Sequence, residues 1–272
     1  MRSDLNNAKP FIRWPGGKRW LIPTVLKEIG NIVPKRYIEP FLGGGAIFFS
    51  TSFPKCILSD LNVELVNAYE QVRDNPMKLI DKLKKYPINK AFYDEIKNKK
   101  YSSPISKAAR FLYLNRTAFS GIYRTNLNGE YNVPYGGGSR TQKILWEQNL
   151  IINASKQLQN KILICSDFEA IIKKANNGDI VYCDPTYTVR HNNNGFRRYN
   201  EKIFSWEDQI RLAKCCNNAV SKGAIVIVSN AFHKEVSELY KGFTHIRVER
   251  PSMLSVDPVF RTKTVESLFI SK

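Results

Sequence analysis

The stretch that decides the fold is Gly178-Asp179-Ile180-Val181-Tyr182-Cys183-Asp184-Pro185-Thr186-Tyr187. Its first six residues are mainly apolar and predict a short strand of a parallel sheet, buried on both faces. An acid, a proline and an aromatic residue follow, and they predict a stiff loop with a polar tip. Because ligands of open α/β sheets bind at the carboxyl ends of strands, this loop is a candidate functional site.

The side chains of this loop suit a planar ring that carries an amino group. The Asp184 carboxylate only accepts hydrogen bonds, and the Pro185 carbonyl is a second acceptor. Together they would take both amine hydrogens while the ring stacks on Tyr187, so that the amine lone pair points at an electrophile. Such a site works by positioning and electrostatics. The alternative is an ordinary turn, because Asp and Pro are common after strands.

Composition limits the class of protein. The chain has 272 residues, of which 43% are hydrophobic, so it can build a substantial core. Its 42 Lys and Arg against 24 Asp and Glu give a net charge of +18. This excess favours a polyanionic partner, nucleic acid before an anionic membrane. No apolar run reaches membrane-spanning length and the first residues form no signal peptide, so we expect a cytoplasmic protein without a membrane partner.

The cysteines and histidines predict no metal site. The three histidines do not cluster, and the sequence contains no CxxC pair. The cysteines are therefore expected to be buried, reduced thiols: Cys56, Cys165, Cys183, Cys215 and Cys216.

Two glycine-containing stretches near the N-terminus predict ligand binding. In Phe11-Ile12-Arg13-Trp14-Pro15-Gly16-Gly17-Lys18, a glycine pair lets the backbone approach a ligand, Lys18 supplies a cation and Trp14 supplies an aromatic face. The alternative is a glycine turn with a solvated lysine. The second stretch, Phe41–Ala46, lies between a predicted strand at Arg36–Pro40 and a predicted helix at Ile47–Ser52.

The second stretch does not match the dinucleotide-binding pattern GxGxxG. Gly43 and Gly45 fit its first two glycines, but Phe48 occupies the last position. The mismatch counts against a dinucleotide-dependent oxidoreductase and allows a nucleoside without a pyrophosphate. Asp60 follows the next predicted strand, Lys55–Ser59, where an acid accepts hydrogen bonds from ribose hydroxyls. The alternative is that Asp60 caps the helix predicted from Leu61 to Arg73.

The alternation of strands and helices resumes after residue 160. Strands are predicted at Lys161–Cys165 and Ala224–Val228, and an amphipathic helix at Trp206–Ser221. Phe168 would contact a nucleoside base or belong to the core. The pattern predicts an α/β fold, a Rossmann-like and mostly parallel sheet with helices on both faces.

Residues 90–160 differ in character from the rest of the chain. Basic and aromatic residues interleave there, around a predicted helix at Ser106–Asn115 and a predicted hairpin at Gly129–Gly138. Such a segment can place arginine on guanine edges and an aromatic ring into a base step. The alternative is a surface insertion with solvated charges.

Taken in order, these motifs resemble those of the Dam-type DNA adenine N6-methyltransferases, the D12 class, whose recognition domain is inserted between the cofactor and catalytic motifs. Any one motif is weak, whereas several in one order with suitable spacing are specific. The matching stretches are Trp14–Lys18, Glu39–Ala46, Ser59–Asn62, Asn115–Arg124 with Gly129–Pro134, and Asp184–Tyr187.

The resemblance implies S-adenosylmethionine as cofactor and a target adenine that leaves the duplex. It implies a discontinuous catalytic domain at 1–89 and 161–272 and a mainly helical recognition domain, with a hairpin, at 90–160. Tyr187 would stack on the flipped base. The implied catalytic residues are Asp184, Pro185 and Tyr187, and the implied cofactor contacts are Trp14, Lys18, Phe41, Gly43, Gly45, Asp60, Phe168 and Asp184.

The resemblance also implies double-stranded DNA as partner, at a GATC-like site. The implied DNA contacts are Arg13, Arg116, Phe119, Ser120, Ile122, Arg124, Asn126, Asn132 and Pro134. Two positions depart from the family pattern. Ser120 stands where Asn is more usual, and Thr186 stands where the motif has a second proline, which frees Pro185 from the restriction on a residue before proline.

Other functions fit parts of this pattern. The same chemistry could act on RNA adenine or on the N4 atom of cytosine, and a DNA-binding protein could retain the fold without activity. We expect a monomer, with a cognate restriction endonuclease as a further partner.

Overall fold

The structure is a computed structural model that describes residues 8–121, 123–126, 130–138, 147–187, 204–251 and 263–271. The predicted class is confirmed: the fold is mixed α/β, with a seven-stranded, mostly parallel sheet. The strands are β1 Tyr37–Glu39, β2 Cys56–Asp60, β3 Ile162–Cys165, β4 Ile180–Cys183, β5 Ile225–Ala231, β6 Thr244–Pro251 and β7 Lys263–Ile270. The helices are α1 Ile22–Ile29, α2 Val63–Asp74, α3 Pro76–Lys84, α4 Lys90–Asn98, α5 Pro104–Thr117, α6 Gln148–Leu158, α7 Phe168–Ile172, α8 Trp206–Ser221 and α9 Lys234–Leu239.

The strands lie in the order β3-β2-β1-β4-β5-β7-β6. Strand β1 pairs in parallel with β2 and β4, and β4 pairs in parallel with β5, whereas β7 pairs antiparallel with β5 and β6. All four residues of β4 are buried, which explains why its sequence is continuously apolar. The carboxyl ends of β1 and β4 therefore meet at one edge of the sheet, where Phe41 and Asp184 follow them.

Two local predictions were wrong. The helix predicted at Ile47–Ser52 is a single 3₁₀ turn, Phe48–Ser50, because Thr51 is extended and Pro54 follows closely. The expectation of five buried cysteines fails at Cys165, which is exposed, while the other four are buried. Cys165 is the last residue of β3, whose burial is weaker than that of β4.

Contacts divide the chain into two compact units. The first comprises residues 1–30, 43–52 and 60–165, and the second comprises residues 31–42, 53–59 and 166–272. This division reflects packing, so the functional boundaries expected at residues 90 and 160 stay a prediction. Within the described residues, no helix combines the length and apolar character needed to cross a bilayer.

In the first unit, two chain segments between residues 117 and 136 pair as a hairpin. Bridges join Ala118 with Tyr135 and Thr125 with Tyr131. The Asn132 amide donates to the Arg124 carbonyl at 3.1 Å. The sequence predicted a hairpin within residues 129–138 alone, whereas the structure pairs residues 130–136 with residues 117–126.

The glycine turn after β1 is closed by packing inside the first unit. Gly45 has φ +66°, and a Cβ atom there would lie 2.9 Å from the Tyr69 hydroxyl oxygen and 3.2 Å from the Phe49 ring. The Tyr69 hydroxyl donates to the Gly43 carbonyl at 3.0 Å. Glycine is therefore required at residue 45 both by its backbone conformation and by a close aromatic neighbour.

We expect Gly45→Ala to lower the free energy of unfolding by about 2–4 kcal/mol, since it adds a left-handed alanine and an overpacked methyl group. Urea denaturation measures the loss. Gly137→Ala is the matched control: Gly137 has φ +61°, but a Cβ atom there would meet no described atom within 4 Å, so about 1–2 kcal/mol is expected from the backbone alone. Equal losses in the two variants would contradict a clash at Tyr69.

Candidate active site and nucleic-acid interface

Asp60, the last residue of β2, binds the glycine turn of the first unit. Its Oδ2 atom accepts the Gly43 amide at 2.9 Å and its Oδ1 atom accepts the Asn62 amide at 3.0 Å. Burial raises the pKa of Asp60 above its ordinary value, and the backbone hydrogen bonds oppose that rise. The cap of α2 is Asn62, whose side chain accepts from Glu64 and Leu65. Asp60 is thus not the helix cap, and each of its oxygens retains acceptor capacity.

Trp14 packs between the glycine turn and the hairpin of the first unit. A Cβ atom at Gly43 would lie 2.8 Å from the indole, so the glycine lets the ring approach. On its other side Trp14 stacks on Tyr123, with ring centroids 5.6 Å apart and an interplanar angle of 18°. The Tyr123 hydroxyl donates to Glu64 at 2.5 Å, and Glu64 pairs with Arg110 at 3.2 Å. These contacts fix the indole plane.

The backbone before Trp14 is held by α5. The Asn115 side chain accepts the Arg13 amide at 3.0 Å and donates to the Arg13 carbonyl at 2.6 Å. Lys18 is only 5% exposed, so it differs from the solvated lysine of an ordinary glycine turn. Burial of an ammonium group favours an anionic or acceptor-rich environment around it.

Three arginines create a positive potential in the first unit. Burial, together with the charges of Arg13 and Arg19, lowers the pKa of Arg116 to about 10. Arg13 itself is exposed and packs against Gly121, which has φ +64°. Because like charges raise the free energy of this cluster, a phosphate bound there would relieve the repulsion.

The hairpin presents some predicted DNA contacts and uses others internally. Phe119 is 57% exposed, which is unusual for a large apolar side chain. The Arg124 Nε atom donates to the Asn132 side chain at 2.9 Å, so Asn132 orients that guanidinium. The Asn126 side chain exchanges two hydrogen bonds with Glu130, each 2.9 Å long.

The remaining predicted DNA contacts lie at the base of the hairpin or outside the described residues. Pro134 is exposed and its carbonyl accepts the Phe119 amide at 2.9 Å. Ser120 lies in a 3₁₀ turn, Phe119–Gly121. Ile122 lies outside the described residues.

In the second unit, Phe41 and Phe168 form an aromatic cluster with Phe204. Phe41 stacks on Phe168 at a centroid distance of 5.3 Å, and Phe204 contacts both rings. Phe168 is 5% exposed, because the Arg211 guanidinium also lies 4.3 Å from its centroid. Phe41 is the more accessible of the pair and offers a ring face to a ligand, while Phe168 supports it.

Arg211 is held by acids at the ends of α7 and α8. It makes two hydrogen bonds to Asp167, at 2.8 and 3.0 Å, and one each to Asp208 and Glu169. The hydrogen bonds to Asp167 are the main cause of a raised Arg211 pKa. The cation over Phe168 therefore remains charged.

The loop after β4 carries the predicted catalytic residues of the second unit. Pro185 is buried, whereas Asp184, Thr186 and Tyr187 are partly exposed. The Tyr187 hydroxyl lies 2.5 Å from the Glu266 carboxylate and 2.9 Å from the Ser229 hydroxyl. Burial, with the charges of Asp184 and Glu266, raises the pKa of Tyr187 well above its ordinary value, so its hydroxyl is a neutral donor.

Sequence reasoning missed the residues that support these side chains. Tyr123 lies within the stretch matched to the family, but nothing there indicated that it stacks on Trp14. Glu64 and Arg211 resemble ordinary helix-surface charges. Glu266 gave a signal, since it is the one charged residue in the stretch Val265–Ile270. The part of the chain that the structure describes contains no group of three or more His, Cys, Asp or Glu side chains that could hold a metal ion.

Comparison with known proteins gives one consistent result. The family model described as D12 class N6 adenine-specific DNA methyltransferase matches residues 14–253. A type II methyltransferase of Lactococcus lactis subsp. cremoris is 37% identical, over 89% of this chain and 88% of its own. A type II methyltransferase of Methanocaldococcus jannaschii is 36% identical, over 91% and 93%. A DNA adenine methylase of Haemophilus influenzae is 31% identical, over 96% and 93%.

Proposed function

The chain belongs to the D12 class of N6 adenine-specific DNA methyltransferases, and from that premise we propose its methyl donor, its site residues and its target. The donor is S-adenosylmethionine and the target is an adenine flipped out of duplex DNA at a short, GATC-like site. The single observation that carries this proposal is the loop after β4. It combines a partly exposed carboxylate, a fixed carbonyl and a tethered tyrosine at the carboxyl end of a parallel strand.

The catalytic residues Asp184, Pro185 and Tyr187 act on the adenine amine. The Asp184 carboxylate and the Pro185 carbonyl accept the two amine hydrogens, which concentrates the lone pair on the nitrogen. Tyr187 stacks on the base after it leaves the duplex. Thr186 adds an amide hydrogen where the family motif has proline, and the two acceptors remain in place.

The observed side chains fit the proposed methyl donor. Asp60 has acceptor capacity for the ribose hydroxyls, and Phe41, supported by Phe168, offers a ring face for adenine. Lys18 suits a carboxylate, and Trp14 suits the cationic sulfur region. When bound, the donor supplies a methyl group on positively charged sulfur. The full set of proposed contacts is Trp14, Lys18, Phe41, Gly43, Gly45, Asp60, Phe168 and Asp184.

DNA recognition is proposed for the hairpin and the arginine cluster. Arg124 reads a base, and the exposed Phe119 enters the base step next to the flipped adenine. Arg13 and Arg116 bind phosphates, and the net charge of +18 supports long-range attraction to DNA. Ser120, Ile122, Asn126, Asn132 and Pro134 complete the proposed interface, with Asn126 and Asn132 acting through their partners in the hairpin.

Three further proposals concern the cellular setting. Relatives named type II methyltransferases support a cognate restriction endonuclease as a partner. We expect a monomer, because one chain carries every proposed site residue. We expect the enzyme to act in the cytoplasm, where its DNA substrate is found.

The central test uses unmethylated genomic DNA and S-adenosylmethionine with a labelled methyl group. We expect label in N6-methyladenine at one short motif, located by sequencing that detects modified bases. Asp184→Ala should abolish labelling while the DNA dissociation constant stays within about two-fold, since Asp184 acts on the reacting amine. Labelling that survives in Asp184→Ala would overturn the catalytic assignment. No labelling by the wild-type protein, with tight DNA binding, would indicate an inactive member of the family.

Asp60 predicts a pH dependence of cofactor binding. Ribose hydroxyls donate to the ionised carboxylate, so affinity is present above the pKa of Asp60 and is lost as the pH falls through it. Because burial raises that pKa above the ordinary 3.8, the loss should begin at a higher pH than for an exposed aspartate. Calorimetric titration with S-adenosylhomocysteine from pH 7 downwards measures it. Asp60→Asn should bind about 10- to 100-fold more weakly at pH 7 and lack this pH dependence; a pH profile shared with the wild type would remove Asp60 from the ribose site.

The hydrogen bond between Arg124 and Asn132 predicts that both residues determine which DNA sequence is methylated. Arg124→Ala should lower discrimination against a substituted base by about 1–3 kcal/mol and leave nonspecific DNA binding nearly unchanged. Asn132→Ala should relax discrimination at the same base, because the Arg124 guanidinium loses the side chain that orients it. Methylation of a library of single-base variants of the target measures both effects. Arg116→Ala is the control, expected to weaken binding to all sequences and to reduce its salt dependence; relaxation at a different base in Asn132→Ala would contradict the coupling.

A further inference from the structure

Glu266 is a buried acid of the second unit that belongs neither to the proposed catalytic residues nor to the proposed cofactor contacts. It lies on β7, is 3% exposed, and pairs through its backbone with Ala231 of β5 and Val248 of β6. A carboxylate in the middle of a sheet is costly unless hydrogen bonds compensate for lost hydration. An apolar residue at position 266 would pack in the core without this desolvation cost, so we expect the carboxylate to have a specific role.

The side chain of Glu266 reaches the tyrosine of the loop after β4. Its Oε2 atom lies 2.5 Å from the Tyr187 hydroxyl, which is also 2.9 Å from the Ser229 hydroxyl on β5. Ser229 is fully buried. Two side chains from adjacent antiparallel strands thus bind the same phenolic oxygen, and a charged acceptor makes the hydrogen bond from Tyr187 to Glu266 stronger than a neutral one.

This arrangement restricts the plane of the Tyr187 ring. The phenolic oxygen lies on the axis of the second side-chain torsion, so its hydrogen bonds fix the first torsion together with the loop backbone. The phenolic O–H prefers to lie in the plane of the ring, so the direction of the hydrogen bond to Glu266 also restricts the second torsion. The residue next to it in the loop is Thr186, which lacks the rigidity of the family's second proline. The hydrogen bonds of the Tyr187 hydroxyl can therefore restrict the motion of a loop whose sequence lacks the second proline.

We infer that Glu266 is a positioning residue for methyl transfer: with Ser229, it holds the Tyr187 ring in the plane on which the flipped adenine stacks. The inference rests on the proposed stacking role of Tyr187. It assigns to Glu266 no contact with the base, the cofactor or the reacting atoms. The chemical step then depends on a carboxylate in the sheet that acts only through the tyrosine.

The experiment is a double-mutant cycle on Tyr187→Phe and Glu266→Leu, assayed on a duplex that contains the target motif found by sequencing. Each single variant should lower the single-turnover rate constant about 10- to 100-fold, as expected for a misplaced reacting group. The dissociation constants for DNA and S-adenosylhomocysteine should stay within about three-fold. The double variant should be no slower than the slower single variant, because both changes remove one interaction.

A second readout reports on the base itself. With 2-aminopurine in place of the target adenine, flipping raises the fluorescence intensity of this base. Stacking of the base on Tyr187 shortens its fluorescence lifetime. Glu266→Leu should retain flipping but show a longer-lived, unstacked population, which loss of stability alone would not produce. Glu266→Gln keeps an acceptor oxygen for the Tyr187 hydroxyl and should recover most of the rate and the short lifetime.

Ser267→Ala is the matched control. Ser267 is the next residue on β7, is 1% exposed and bonds His245 at 2.8 Å, so the change also removes a buried hydrogen bond on this strand. Side chains alternate along a strand, and Ser267 therefore points away from Tyr187. Ser267→Ala should lower stability by about 1 kcal/mol and leave the rate and the lifetime unchanged.

The outcomes separate this inference from the proposed function. If the wild-type protein methylates no motif in genomic DNA, or does not flip 2-aminopurine at the motif that sequencing finds, the proposed function fails. If the wild type does both and Glu266→Leu matches its rate and lifetime, or if the losses in the double variant multiply, Glu266 does not position Tyr187. If Glu266→Leu does not fold, Tyr187→Phe decides, because a wild-type rate and lifetime in that variant would show that the tether has no function.

Discussion

The hydrogen bond from the Gly43 amide to the Asp60 carboxylate is the interaction on which the first unit depends. It fixes the glycine turn to the end of β2, and the turn in turn fixes Trp14, whose indole occupies the space that a side chain at Gly43 would fill. Trp14 stacks on Tyr123, Tyr123 donates to Glu64, and Glu64 lies in the first turn of α2, next to the Asn62 amide that also binds Asp60. These contacts link the glycine turn, Trp14, Tyr123 and the start of α2 to one another, so moving one of these groups disturbs the contacts of the others.

Four acids of this strongly basic chain accept hydrogen bonds from amides or tyrosine hydroxyls within the two units. Asp60 accepts backbone amides, Glu64 and Glu266 accept tyrosine hydroxyls, and Glu39 accepts the Tyr37 hydroxyl at 2.8 Å. Each hydrogen bond offsets part of the cost of removing a carboxylate from water. The net charge of +18 favours long-range attraction of a polyanion.

The elements that the sequence predicted best are those whose pattern follows directly from burial. The helix Trp206–Ser221 was predicted from its apolar face with its observed bounds, and the structure shows that a capping box of Ser205 and Asp208 fixes its start. Strand β4 was recognised from its apolar run. The prediction failed at Ile47–Ser52, where apolar residues suggested a helix but a packed glycine turn and Pro54 limit it to one 3₁₀ turn. The alternative role of Asp60 as the cap of α2 was wrong, since Asn62 caps that helix. Asp and Asn are equally good capping residues, so only the geometry distinguishes them.

The sequence by itself determined the fold class, the order of the motifs and the identities of the groups that can do chemistry, since these depend on local periodicity and on side-chain type. Only the tertiary structure decided which side chains hold them in place. The contacts between Tyr123 and Trp14 and between Asn132 and Arg124 depend on how the hairpin and loops pack. The pairing of Glu266 with Tyr187 joins residues 79 positions apart in the chain. Residues distant in sequence meet because strand order brings them together, and strand order is a property of the whole sheet that no local pattern encodes.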